Sequence, residues 1–156
     1  MKRNTRRVLL PLMMMLLFTA SLCYGSADVV TQTVSRDKEN KTKIITITAT
    51  DNGGDGILYQ LTGENNSWTT FNGWITKIET DPDAVAAPTD NYDIALLNAS
   101  GADILIGDLA NRDSTTSEIV DGMAHQIKGR PVLQITGNTA NPATVVITIY
   151  IWTEGM

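Results

Sequence analysis

Residues Ala143 to Thr153, read as ATVVITIYIWT, limit the possible folds more than any other stretch of this chain. The β-branched side chains at Thr144, Val145, Val146, Ile147, Thr148, Ile149 and Ile151 crowd the preceding turn of a helix and suit a pleated strand. On that strand Val145, Ile147, Ile149 and Ile151 share one face, and Val146, Thr148, Tyr150 and Trp152 share the other. Both faces are largely apolar. Such a strand is either central in its sheet and covered on both sides, or covered by another subunit. Val145, Ile147, Ile149 and Ile151 are therefore candidate interface residues.

The same period-two alternation recurs upstream. Ile44 to Thr50 places Ile45, Ile47 and Ala49 on one face, and Val29 to Ser35 alternates more weakly, as an edge strand or a mobile arm. Ile57 to Leu61 and the short aromatic piece Trp68 to Phe71 follow. In the next strand Trp74, Thr76 and Ile78 share a face, and Pro82 requires it to stop at Asp81 because proline cannot donate to a ladder. Asn91 to Asn98 is a strand with Tyr92, Ile94 and Leu96 together, and Ile104 to Ile106 pairs back on it. Asp113 to Arg130 reads as an irregular connection holding one short strand, Glu118 to Val120. Pro131 to Gly137 is the penultimate strand. Asp51-Asn52-Gly53-Gly54-Asp55-Gly56 is a sharp turn, since glycines accept positive φ and Asp and Asn bond their own backbone. Short strands with Gly, Asn and Pro turns, and no amphipathic helix, predict an all-β, single antiparallel β-sandwich of jelly-roll or immunoglobulin-like kind.

The chain starts differently. Lys2, Arg3, Arg6 and Arg7 precede an apolar run from Val8 to Leu22, and small residues follow at Gly25, Ser26 and Ala27. That pattern is a signal peptide over residues 1–27, cleaved after Gly25 or Ala27 or retained, ahead of a β-sandwich domain over 28–156. The expected localisation is secreted, periplasmic or cell-surface. Removing the signal takes four of the 12 basic residues and none of the 17 acidic ones, so residues 28–156 carry a net charge of −9. A nucleic-acid partner is disfavoured, because phosphate contacts need clustered Lys and Arg. No membrane association is expected once the signal is cleaved. The only cysteine, Cys23, leaves with the signal, which excludes disulfides and thiolate zinc sites from the domain.

Few residues offer chemistry, and no cofactor is implied. Asp51, Asn52 and Asp55 are weak candidates for calcium, spaced as in an EF-hand loop but with Gly53 at its third position and no glutamate at its twelfth. Asp81, Asp83 and Asp90 form a second acidic loop. Paired carboxylates can hydrolyse glycosides, although any acidic β-protein offers such pairs by chance. His125 is the single histidine, placed in a polar loop, and by itself builds neither a triad nor a two-histidine metal site. No catalytic residue is assigned and the chain reads as a non-enzyme. Trp68, Phe71, Trp74 and Trp152 could form an aromatic platform for a sugar ring. Core packing is the competing reading, because Trp74 shares a face with Ile78.

Residues 73 to 151 resemble small β-sandwich proteins encoded among the virion structural genes of tailed phages and prophages. The resemblance rests on Gly73-Trp74, Thr80-Asp81-Pro82, the run from Ala87 to Ile94, Gly101-Ala102-Asp103, Leu109 to Arg112 with Ser117-Glu118, Arg130-Pro131-Val132 and Thr136-Gly137-Asn138. It implies a non-enzymatic particle component acting through protein contacts. The leading expectation is an exported structural or interaction module that self-associates as a homo-oligomer or docks on a larger extracellular or virion-like assembly. A carbohydrate-binding module using surface aromatics is the alternative.

Overall fold

The structure, a computed structural model, describes residues 28–37, 39–61 and 71–153. The signal peptide, Cys23, the turn at 63–66 and Trp68 lie outside them. Eight strands and no helix form among the described residues: β1 (Val29–Asp37), β2 (Thr42–Asp51), β3 (Ile57–Gln60), β4 (Phe71–Pro82), β5 (Asp93–Leu97), β6 (Glu118–Gly129), β7 (Val132–Thr136) and β8 (Ala143–Trp152). They make a five-stranded sheet in the order β1-β2-β8-β4-β6 and a three-stranded sheet in the order β3-β7-β5. Every pairing is antiparallel. The all-β, β-sandwich-like expectation holds.

One core joins the two sheets. Ile45, Ile47, Ile75, Ile78, Ile147, Ile149 and Ile151 from the larger sheet cluster with Ile57, Ile94, Leu96, Leu133 and Ile135 from the smaller. Burying each such side chain contributes about 1.5–3 kcal/mol. β8 is central, paired with β2 on one side and β4 on the other, and Val145, Ile147, Ile149 and Ile151 are at most 3 % exposed. These four are therefore core residues and offer no docking surface, which corrects the interface expectation. The facing sheet of the same chain covers them.

β4 departs from simple alternation at a bulge. Its register to β8 runs Ile75 to Ile151 and then Lys77 to Tyr150, so Thr76 is an extra residue. Phe71, Gly73 and Ile75 point inward before the bulge and Ile78 and Thr80 after it, while Trp74 points outward. The bulge thus separates Trp74 from the face of Ile78, against the alternation read from sequence. It also disturbs β6, where three residues between Asp121 and His125 oppose Thr76. That irregularity hid most of β6 in the sequence: Val120 turns inward at an even position and Met123 and Ile127 at odd ones, so the alternation changes parity at Gly122. His125 lies on this strand opposite Ile75, rather than in a loop.

Ile104 to Ile106 is a turn-rich segment instead of a strand. Asp103 accepts from the N–H groups of Leu96 and Leu105 through Oδ1 and from Gly107 through Oδ2, which curls the chain before a ladder can form. Leu105 and Leu109 are buried beneath this curl. Ile104 N–H donates to Leu96 and Ile94 N–H to Leu109, so the segment covers the outer edge of β5.

Candidate functional site: a regular sheet edge and a threonine-rich sheet face

Several acidic residues, two of those that invite a metal or catalytic reading among them, are occupied by the backbone. Asp37, Asp51, Asp83 and Asp113 each accept from the N–H groups two and three residues on. This is the Asx-turn geometry that lets Asp punctuate a chain of strands. At Asp37 the Asn40 side-chain amide leads these hydrogen bonds, at Asp83 the Ala86 N–H and at Asp113 the Thr115 N–H, and each set holds its carboxyl below the usual range. In the other acidic loop Asp81 accepts from the Ser117 hydroxyl and Asp90 from the Asn91 side-chain amide, so Asp81, Asp83 and Asp90 serve three separate contacts.

Asp51 is the hub of its turn. Its Oδ1 accepts from Gly53 and Gly54 and its Oδ2 from Gly56 and from Asn138 Nδ2, at 2.7 to 2.9 Å. Burial alone would raise its pKa, but the Asn138 amide and the three glycine N–H groups outweigh burial and hold it below the ordinary value. Carboxylate oxygens of Asp28, Asp51 and Asp55 lie within 4.8 Å of one another. Asn52 is drawn in by its backbone, whose N–H donates to Asp28. The turn hydrogen bonds of Asp51 account for the cluster structurally.

His125 Nε2 lies 2.6 Å from Asp108 Oδ2, joining β6 to the segment after β5. Tyr92 and Thr80 bury hydroxyls with no hydrogen bond of good geometry among the described residues. Desolvation pushes Tyr92 up to about 12, with the Glu118 charge adding to the rise.

The aromatic candidates divide. Trp68 lies outside the described residues, and Phe71 is buried, its ring facing Lys43 Nζ at 5.4 Å. Trp74 and Trp152 are 39 % and 37 % exposed and sit directly opposite each other on β4 and β8. Thr42 on β2, Asp37 on β1 and Gln126 on β6 complete the same row across the sheet. In the next row Tyr150 carries Lys77 Nζ 3.9 Å from its ring centroid, and Glu79 Oε1 neutralises that ammonium at 2.7 Å. The Glu79 hydrogen bond is the main reason the Lys77 pKa is raised. Beyond it, the outward positions of β1, β2 and β8 are mostly threonine, with Thr33, Thr46 and Thr148 side by side and Thr50 bonded to Thr144 at 2.9 Å. In residues carrying −9 overall, the outward face of these three strands holds one carboxylate, Asp37 at its corner, already bonded to its own turn. The neutrality of this face was readable in sequence as the T-x-T runs at Thr31 to Thr33 and Thr46 to Thr50.

The four sheet edges are not equally protected. β5 is covered as described, β3 is only four residues long, and β6 carries the bulge, Gly122 at φ 72° and charged Asp121 and Lys128. Among the described residues β1 has none of these devices. It runs nine residues in unbroken register with β2, without proline, glycine or bulge, and its charges are confined to Arg36 and Asp37 at its end. Long edges without such features pair readily with further strands. Compared with known protein families, curated proteins and solved structures, the chain finds no match.

Proposed function

We propose that this chain is an exported, non-enzymatic interaction module that self-associates or joins a larger assembly by adding a strand to its β1 edge. The domain is a sandwich of jelly-roll or immunoglobulin-like kind released by a signal peptide over residues 1–27. The observation that carries the reading is the β1 edge, nine residues in unbroken register without proline, glycine or bulge, beside three edges that are shortened, bulged or covered among the described residues. The resemblance of residues 73 to 151 to phage virion proteins supports it, since such proteins act through protein contacts.

A second copy is the simplest partner. Antiparallel pairing of β1 with its own copy about Thr33 sets Val29 opposite Asp37 and Val30 opposite Arg36, so no like charges meet. Parallel pairing would place Arg36 beside Arg36. Each cross-strand pair contributes about 0.2–1 kcal/mol.

The test is light scattering across a range of protein concentrations, on the parent chain and on Gln32→Pro and Thr33→Pro made singly. Of two successive edge residues one N–H faces β2 and the other faces outward, so one proline removes an internal hydrogen bond and the other blocks only the edge. The expected result is a concentration-dependent oligomer that the outward-facing proline abolishes while the thermal transition is kept. A strict monomer, or an oligomer indifferent to both prolines, would refute the proposal.

A further inference from the structure

We infer that Trp74 and Trp152 form a binding platform for a neutral glycan. Both are large apolar side chains left more than a third exposed although a core was available, and both stand on central strands of the five-stranded sheet. β8 and β4 are hydrogen-bonded on both sides, so little ordering cost is left for binding. Gly73 reinforces the geometry. A Cβ there would lie 2.4 Å from the Trp152 carbonyl oxygen, so the glycine permits the close approach of the two strands that carries the indoles together.

The surroundings select the ligand class. A pyranose ring offers apolar C–H faces for an indole and hydroxyls at its rim, and the indoles are flanked here by Thr42 and Gln126, with Asp37, bonded to its own turn, beyond Thr42. Few precisely placed polar groups around an apolar surface are what orient a small ligand. The ammonium of the next row, Lys77, is already paired with Glu79, and the acidic charge of residues 28–156 opposes an anionic polymer. Neutral, hydroxyl-rich chains fit this row best. The platform does not depend on pairing at β1.

The experiment uses affinity gels holding hydroxyethylcellulose, xylan or dextran, and titration with the hexasaccharides of β-1,4-linked glucose and N-acetylglucosamine. Retention of the wild-type chain on at least one of these probes is expected, unaffected by salt. Trp74→Ala and Trp152→Ala are each expected to weaken it by about tenfold or more, the equivalent of losing one buried aromatic face. Trp74→Tyr and Trp152→Tyr, which keep a flat ring, should retain most of it, and Gln126→Ala, at an exposed site, should weaken it without touching the fold. No retention on any neutral probe would overturn the inference. So would alanine variants that fold and bind as the parent does, retention confined to anionic polymers and abolished by salt, or tryptophan-dependent association between copies with no sugar bound.

Discussion

Replacing Asp51 with asparagine changes one atom and should cost far more than a surface substitution. The carboxylate accepts four hydrogen bonds, two at each oxygen. In the asparagine variant one of those oxygens becomes an amide donor, so either orientation sets a donor against two donors. Asn138 cannot turn over to help, because its Oδ1 already accepts from Thr89 N–H at 2.9 Å and Ala140 N–H at 3.2 Å. Asp51 and Asn138 are 2 % and 4 % exposed, so water does not readily replace what is lost. Each buried donor left unmade costs about 1–3 kcal/mol, which puts Asp51→Asn, with two such donors, at about 2–6 kcal/mol. For a domain of this size the Tm should fall on the order of 10 °C. The assay is urea denaturation with thermal unfolding at neutral pH, followed by the same pair of curves toward acid. Folding holds the Asp51 carboxyl below its unfolded value, so its contribution is complete above about pH 4 and is lost as pH falls through the folded value. The gap between wild type and variant should therefore narrow in acid. A variant within about 0.5 kcal/mol of wild type at neutral pH, or a gap indifferent to pH, would refute this account of the turn.

Other outcomes follow from single contacts. Gly73→Ala drives a methyl to 2.4 Å from the Trp152 carbonyl and 2.7 Å from Ile151 Cγ2, and denaturant unfolding should register a loss of about 1–3 kcal/mol or more. Tyr92→Phe removes a buried hydroxyl without a well-made partner, so it should change stability by less than about 1 kcal/mol or raise it. Because folding raises the Tyr92 pKa to about 12, wild type should lose stability as pH climbs from about 10 toward 12, and the phenylalanine variant should lose less. Two copies of −9 repel, so association through β1, measured by light scattering, should strengthen as salt is raised. Weakening by salt would mean that a different, charge-driven contact holds the oligomer.

Much of the fold was legible in the chain. Period-two alternation marked β2, β4, β5, β7 and β8, because each of these strands buries one face in a shared core, and Gly, Asn and Asp marked their turns. β1 was legible as a weak alternation suited to an edge. β6 was not, because the bulge opposite Thr76 breaks the period on which such a reading depends. The candidate site was legible only in its residue types. Trp74 and Trp152 stand far apart in sequence, and their pairing follows from the register of β4 on β8.

The chain by itself determined that this protein is built of strands, with aspartates at its turns and few charges along the outward positions of β1, β2 and β8. Local preference and alternation act between near neighbours, so they can be read in one dimension. Tertiary structure decided which apolar face of β8 was covered. It sent Val145, Ile147, Ile149 and Ile151 into the core and left Trp152 outside beside Trp74. The physical reason is that both faces of that strand are apolar, so its alternation is satisfied either way. Only the position of the second sheet and a one-residue bulge in β4 break the tie.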